Sequence, residues 1–253
     1  MSNSNDRYDE GTVMKILGID SSGLVASVAI VQDDVTIAEY SVNYKKTHSQ
    51  TLLPMLSEVT TMTEQDLSTI DAIAVSTGPG SFTGLRIGSA TAKGLAEALG
   101  KPIIPVKTVD SLAYNLYGTN RMVCPLMDAR RNQTYTGLYH FIKEDSKYTM
   151  KSDIEQCVVT LDAIIEKIND LGREVIFLGD GVPIFYEQLK EKVSVEFTVA
   201  PCFCNRQRAS VVASLGMILY QEGKIQTPTE HAPEYLRLSQ AERERKEAAE
   251  CSL

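Results

Sequence analysis

The chain has 253 residues, of which 43% are hydrophobic and 23% charged. That composition supports a buried core and excludes global disorder, and the length fits one large or two small domains. A formal net charge of −8 excludes a broad phosphate-backbone interface built by this chain alone, because such a surface needs a Lys/Arg footprint. Five cysteines are spread irregularly, with no Cys-x-x-Cys pair, so neither a disulfide scaffold nor a four-ligand zinc site is encoded. Neither a secretory leader nor an apolar run of about 18 residues is visible, which points to a cytoplasmic, reducing compartment and no membrane contact.

Residues 1–13 are polar and aperiodic and read as a disordered leader before Met14. Lys15–Asp20 (KILGID) is an apolar run ending in Asp and a Ser-Ser-Gly turn. Strands are predicted at 24–31 (LVASVAIV) and 35–42, with Asp33-Asp34 as the hairpin turn. Thr47-His48-Ser49-Gln50 reads as a capping box. It opens a helix carrying Leu52, Leu53, Leu56 and Val59 on one face, and Pro54 is expected to kink it. A strand at 70–76 runs into Gly78-Pro79-Gly80-Ser81-Phe82-Thr83-Gly84, then a helix through Leu99 and a strand at 102–106.

The second half repeats this grammar. Met122–Asp128 (MVCPLMD) is again an apolar run ending in Asp. An alternating strand at 134–141, an amphipathic helix within 154–171, a strand at Val175–Leu178 and a Gly179-Asp180-Gly181 loop follow. Asp20 and Asp128 lie 108 positions apart, and Gly78 and Gly181 lie 103 apart. The shared order implies an internal duplication of one α/β lobe. A buried helix at 209–220, a loop with two prolines at 221–233 and a charged helical tail at 241–249 close the chain. The expected domains are lobes at 14–106 and 107–208, with 209–253 packing back on the first lobe.

A strand ending in Asp20 and followed by Ser21-Ser22-Gly23 can present backbone N–H groups and hydroxyls to a phosphate, or simply close a turn. In the second loop, glycine permits close backbone approach and the helix N-terminus favours anions. Asp20, Ser21, Ser22, Gly78, Gly80, Ser81 and Thr83 are therefore candidate nucleotide-binding residues. The loop is neither a dinucleotide fingerprint nor a Walker A sequence, and a tight turn that binds nothing is the alternative. Gly84, Gly88 and Ala92, at i, i+4 spacing, let another backbone come close, either across a helix–helix interface or within the lobe. His48, His140 and His231 form no helical His-x-x-x-His pair, and no Gly-x-Ser-x-Gly elbow is present.

The strings 15–22 (KILGIDSS), 48–55 (HSQTLLPM), 78–88 (GPGSFTGLRIG), 93–96 (KGLA) and 128–131 (DARR) together resemble the TsaB (YeaZ) family, over about 14–237. These are partner subunits in bacterial tRNA threonylcarbamoyladenosine synthesis. The resemblance implies an α/β, actin-like (ASKHA, ribonuclease-H-like) fold of two similar lobes, in agreement with the duplication. It implies a noncatalytic subunit that binds and activates the catalytic TsaD subunit. Where that subunit places a His-x-x-x-His metal pair, this chain has Thr108 and Leu112, so the resemblance implies a pseudo-enzyme with no catalytic residue and no metal.

The family's pairing mode places a partner or dimer interface on 48–62 and 85–99. It would use His48, Leu52, Leu53, Met55, Leu56, Arg86, Ile87 and Gly88, with Leu52, Met55, Leu56 and Ile87 exposed. Further implied partners are the TsaE ATPase and a second copy of the chain when TsaD is absent, with tRNA reached only through the complex. No cofactor is implied in this chain, and ATP or ADP enters at the level of the complex. The competing reading of the residues is an active actin-fold ATPase or small-molecule kinase, with Asp20, the 78–84 loop and 179–181 around a nucleotide. A glycopeptidase would need a metal pair or a nucleophile–base set that the sequence does not offer.

Overall fold

The computed structural model describes residues 13–237. The leader, apart from Val13, and the charged tail expected at 241–249 lie outside the described residues. In the first half, β1 (Lys15–Asp20), β2 (Val25–Gln32), β3 (Val35–Asn43), α1 (His48–Met62), β4 (Ala72–Gly78), α2 (Phe82–Leu99), β5 (Ile103–Lys107) and α3 (Thr108–Tyr114) follow in order. The second half carries β6 (Met122–Asp128), β7 (Gln133–Glu144), β8 (Lys147–Thr160), α4 (Leu161–Leu171), β9 (Val175–Leu178), α5 (Val182–Lys192), β10 (Phe197–Val199) and α6 (Ala209–Gln221).

The two sheets have orders β3-β2-β1-β4-β5 and β10-β9-β6-β7-β8. Read from the other end, the second is the first repeated. β1 pairs antiparallel with β2 and parallel with β4, and β6 pairs antiparallel with β7 and parallel with β9. This repeated order is the two-lobed actin-like topology, and it places Asp20 and Asp128 at equivalent strand ends.

Each sheet is covered on both faces, and the strand period of two decides which side chain goes where. On β1, Leu17 and Ile19 pack under α1 and α2, whereas Ile16 packs under α6. Gly18 faces α6 so closely that a Cβ there would lie 2.1 Å from the Ala209 carbonyl oxygen. In the second lobe α4 and α5 cover one face, with Ile164, Ile168, Phe185 and Leu189 on Phe177 and Leu126. Val109 and Leu112 of α3 cover the other. Burial of this kind is worth about 25 cal/mol per Å2 of apolar surface.

Two local expectations are corrected, the capping box and the bounds of the helix before Leu171. Thr47 is the N-cap of α1, but its side chain caps nothing; its carbonyl accepts from the Gln50 N–H instead, so there is no capping box. The segment before Leu161 is β8, a long partner of β7 in which only Gln156 is buried, and the helix occupies only Leu161–Leu171. Pro54 sits inside α1, which runs on to Met62.

The expected exposure of α1 is also overturned. Leu52, Met55 and Leu56 are 2–5% exposed and belong to the first lobe's core, while Leu53 is 55% exposed. A single apolar stripe on a helix satisfies its own sheet first. Ile87 is partly buried against the same core. Gly84 and Gly88 likewise face inward: a Cβ on either would strike Ser21, at 2.1 Å from its carbonyl oxygen or 2.3 Å from its hydroxyl. The small-residue stripe therefore serves packing within the lobe.

Candidate functional site

Between the lobes lies a cleft of about 880 Å3. One wall is the β1–β2 turn, the loop after β4 and the start of α2; the other is the β6–β7 turn, Asp180 and Ile184. His48, Thr83, Arg130 and Arg131 also line it.

The seven candidate nucleotide residues do come together, and four of them, Asp20, Ser21, Ser22 and Ser81, are hydrogen-bonded to one another or to Ser76 and Gly84. Asp20 is fully buried at the end of β1. Its Oδ1 accepts from the Ser22 N–H (2.9 Å) and hydroxyl (2.7 Å), and its Oδ2 accepts from the Ser76 hydroxyl. Burial raises the Asp20 carboxyl above its usual 3.8, and the donors of Ser76 and Ser22 oppose that rise. The Ser21 hydroxyl donates to the Gly84 carbonyl (2.8 Å), and the Ser81 N–H donates to the Ser22 carbonyl (2.7 Å). The two loops thus close directly on each other. Gly80 makes this approach possible, since a Cβ there would lie 2.2 Å from the Ser22 carbonyl oxygen. Ser81 caps α2, its hydroxyl accepting from Gly84 N–H at 3.2 Å. Ser81 and Thr83 are exposed toward the cleft, whereas Gly78 is buried at the end of β4 with φ +128° and a cis bond to Pro79.

His48, at the start of α1, places Nε2 2.8 Å from the Gly23 carbonyl oxygen, and its buried Nδ1 has no partner. It fastens α1 to the β1–β2 turn. Arg86 is exposed on α2. In the second lobe the Asp180 side chain accepts from the Asp128 N–H (3.3 Å), and burial raises its carboxyl above 3.8. Asp128 accepts from the Arg130 N–H (2.7 Å) and pairs with its guanidinium (3.2 Å). Arg130, Arg131 and Asn132 all take positive φ, at 63°, 57° and 56°. Three successive left-handed residues without a glycine are costly, and they aim the arginines along the cleft wall. Thr108 and Leu112 are both completely buried at the start of the second lobe, Leu112 in its apolar core.

One part of the site has no signal in the sequence reading. Residues 234–237 lie along the cleft, against both walls. Tyr235 stacks on Phe82 with ring centroids 4.4 Å apart, and its hydroxyl accepts from Arg86 Nε (3.2 Å). Among the described residues no helix is long and apolar enough to cross a membrane.

Comparison with known proteins agrees with this geometry. The family model described as TsaD, tRNA N6-adenosine threonylcarbamoyltransferase, matches residues 36–245. The tRNA threonylcarbamoyladenosine biosynthesis protein TsaB of Bacillus subtilis is 33% identical over 232 residues, 90% of this chain and 96% of that protein. TsaB of Escherichia coli is 31% identical over 170 residues, 66% of this chain and 72% of that protein. Among solved structures, YeaZ from Pseudomonas aeruginosa superposes with a TM-score of 0.70 at 25% identity, over 88% of this chain and 100% of that one. The duplicated sheet order, the matched family model and these relatives together place the chain in the TsaB (YeaZ) branch of the TsaD family.

Proposed function

We propose that this chain is a noncatalytic partner subunit in tRNA threonylcarbamoyladenosine synthesis. It binds the catalytic TsaD subunit and activates transfer of a threonylcarbamoyl group to N6 of the adenosine next to the anticodon in ANN-decoding tRNAs. The observation that carries the reading is the burial of Thr108 and Leu112. These stand where the resemblance places the metal pair of the catalytic subunit, and neither side chain reaches the cleft. Asp20, at the end of β1, has both carboxylate oxygens engaged by Ser22 and Ser76.

Leu52, Met55, Leu56 and Gly88 face inward, so of the residues expected at the interface those left on the surface of α1 and α2 are Leu53, Arg86 and the exposed part of Ile87, with His48 at its end. We assign the contact with TsaD to that surface, and the contact with a second copy of the chain when TsaD is absent. TsaE and ATP or ADP act at the level of the assembly, and the −8 charge leaves most tRNA contacts to other subunits. A second reading, an actin-fold ATPase or small-molecule kinase, draws on the cleft itself, whose walls carry the 78–84 loop and Asp180.

The test is threonylcarbamoyl incorporation into tRNA by TsaD and TsaE, with and without this chain. Dependence on the chain, with no turnover by the chain alone, supports the partner reading. Incorporation that ignores its omission refutes it, and saturable ATP hydrolysis by the isolated chain favours the kinase reading.

A further inference from the structure

The segment 226–237 runs along α2 and ends in the cleft. Gln226 bridges to Ile103 at the sheet edge. The His231 carbonyl accepts from Lys93 Nζ (3.0 Å), and its ring Nε2 meets the Ser89 hydroxyl at 3.0 Å. Past Pro233 the segment makes contacts of a different kind. The Glu234 N–H donates to the Thr77 carbonyl (2.8 Å), extending the end of β4. The Glu234 carbonyl fills the space left by Gly78, where a Cβ would sit 2.2 Å from it. Tyr235 lies on Phe82, whose ring also carries the Arg86 guanidinium 4.1 Å from its centroid. These are first-lobe contacts. On the second lobe, the Arg237 guanidinium donates to the Ala129 carbonyl, and Gln156 Nε2 donates to the Glu234 carboxylate (3.4 Å).

We propose that Thr77, Gly78, Phe82 and Arg86 form a binding notch for an extended, tyrosine-bearing peptide segment, that the chain fills it in cis with 234–237, and that this filling clasps the two lobes across their cleft. The notch supplies what such a segment needs: a free backbone acceptor, a glycine that admits its carbonyl, an aromatic face and a cationic donor for the phenol. The anchor is releasable, because Tyr235 is 39% exposed and the holds on the second lobe are two polar contacts, from Arg237 and to Glu234. Any group that stacks on Phe82 from the cleft competes with Tyr235, so occupation of that face and closure of the clasp exclude each other. The clasp does not depend on the partner-subunit reading.

The chain contains no tryptophan, so Tyr235→Trp in the full-length protein gives a single reporter seated on the notch. Acrylamide quenching of its emission is measured alone and combined with Phe82→Ala or Arg237→Ala. We expect low quenching in the parent, rising about threefold or more in both combinations, because local opening at one anchor frees the other. Quenching in the parent equal to that of free tryptophan overturns the notch. A rise with Phe82→Ala but none with Arg237→Ala overturns the clasp, since the segment then rests on the first lobe alone. Should Phe82→Ala fail to fold, Phe82→Leu removes the same aromatic face while filling the space, and the Arg237→Ala arm decides between the two lobes without it.

Discussion

Glu39 on β3 and Arg208, 169 positions later, form an ion pair that fixes α6 to the first sheet, with Arg208 Nε 3.0 Å from Glu39 Oε2. The other carboxylate oxygen caps the helix, accepting from the Ser210 N–H (2.9 Å) and hydroxyl (2.7 Å). α6 covers the face of the sheet that holds Ile16, Ala74 and Ile104, so this one carboxylate positions the helix that closes that face of the first lobe.

Glu39→Ala removes a helix cap and leaves Ser210 and Arg208 without their acceptor. The Glu39 side chain is 12% exposed, but Arg208 is 41% exposed, so water recovers part of the loss. We expect a destabilisation of about 1–3 kcal/mol in urea unfolding, with Glu39→Gln losing less because one amide oxygen still caps the helix. Equal loss in the two variants would mean that the charge, not the cap, holds α6.

The two faces of α1 predict opposite outcomes for neighbouring leucines. Leu56→Glu puts a carboxylate into the first lobe's core beside Val59 and Leu52, and should cost more than about 4 kcal/mol. Leu53→Glu lies on the exposed side and should leave unfolding within about 0.5 kcal/mol, while weakening association with TsaD. Sedimentation and thermal melts on both variants separate the effects. Intact pairing in Leu53→Glu would move the interface off this helix.

This pair also marks the limit of sequence reading here. The duplicated strand–Asp and strand–Gly-loop order was legible because both are short-range signals, and Lys15–Asp20, Met122–Asp128 and Val175–Leu178 are strands with the expected bounds. The direction in which α1 points its apolar stripe was not legible, since Leu52 and Leu56 would suit a partner as well as a sheet. β8 escaped because KYTMKSDIEQCVVT is an edge strand with little alternation to betray it. Tyr235 on Phe82 escaped for another reason: a contact across 153 positions leaves no periodicity in either segment.

Asp20 sets up a comparison between an isostere and a truncation. Its carboxyl is buried, and its folded value is raised above 3.8. The ionised form is therefore disfavoured in the fold, and stability falls as pH rises from about 4 through that raised value. Asn is neutral at every pH, can accept from Ser22 through its amide oxygen and can donate to Ser76. Asp20→Asn should hold stability within about 1 kcal/mol at pH 7 and flatten this part of the pH profile. Asp20→Ala strands the donors of Ser22 and Ser76 and should cost about 2–4 kcal/mol. Denaturant titrations at pH 4 and pH 7 give both numbers. Equal losses for Asn and Ala would show that the negative charge itself, and not the hydrogen bonds to Ser22 and Ser76, is needed at this strand end.

His231 gives the opposite pH sign. It is 2% exposed, with Nε2 at the Ser89 hydroxyl and Nδ1 3.0 Å from Gln226 Oε1. Burial, with the Lys93 ammonium adding to it, lowers its value from 6.5 to about 4. The unfolded chain therefore takes up a proton at a higher pH than the folded one. The stabilising contribution is complete above pH 6.5 and is lost as pH falls toward about 4, where it amounts to a loss of up to about 3 kcal/mol. Because Lys93 and Ser89 hold the root of the 226–237 segment to α2 through this residue, protonation should loosen that segment before the lobes unfold. Hydrogen exchange at pH 7 and pH 5, corrected for intrinsic rates, should show protection lost first in 226–237. His231→Gln should start less protected and show no such step, since nothing at that position then titrates. Protection that stays uniform across the chain between the two pH values would mean that the histidine ionises without releasing its anchor.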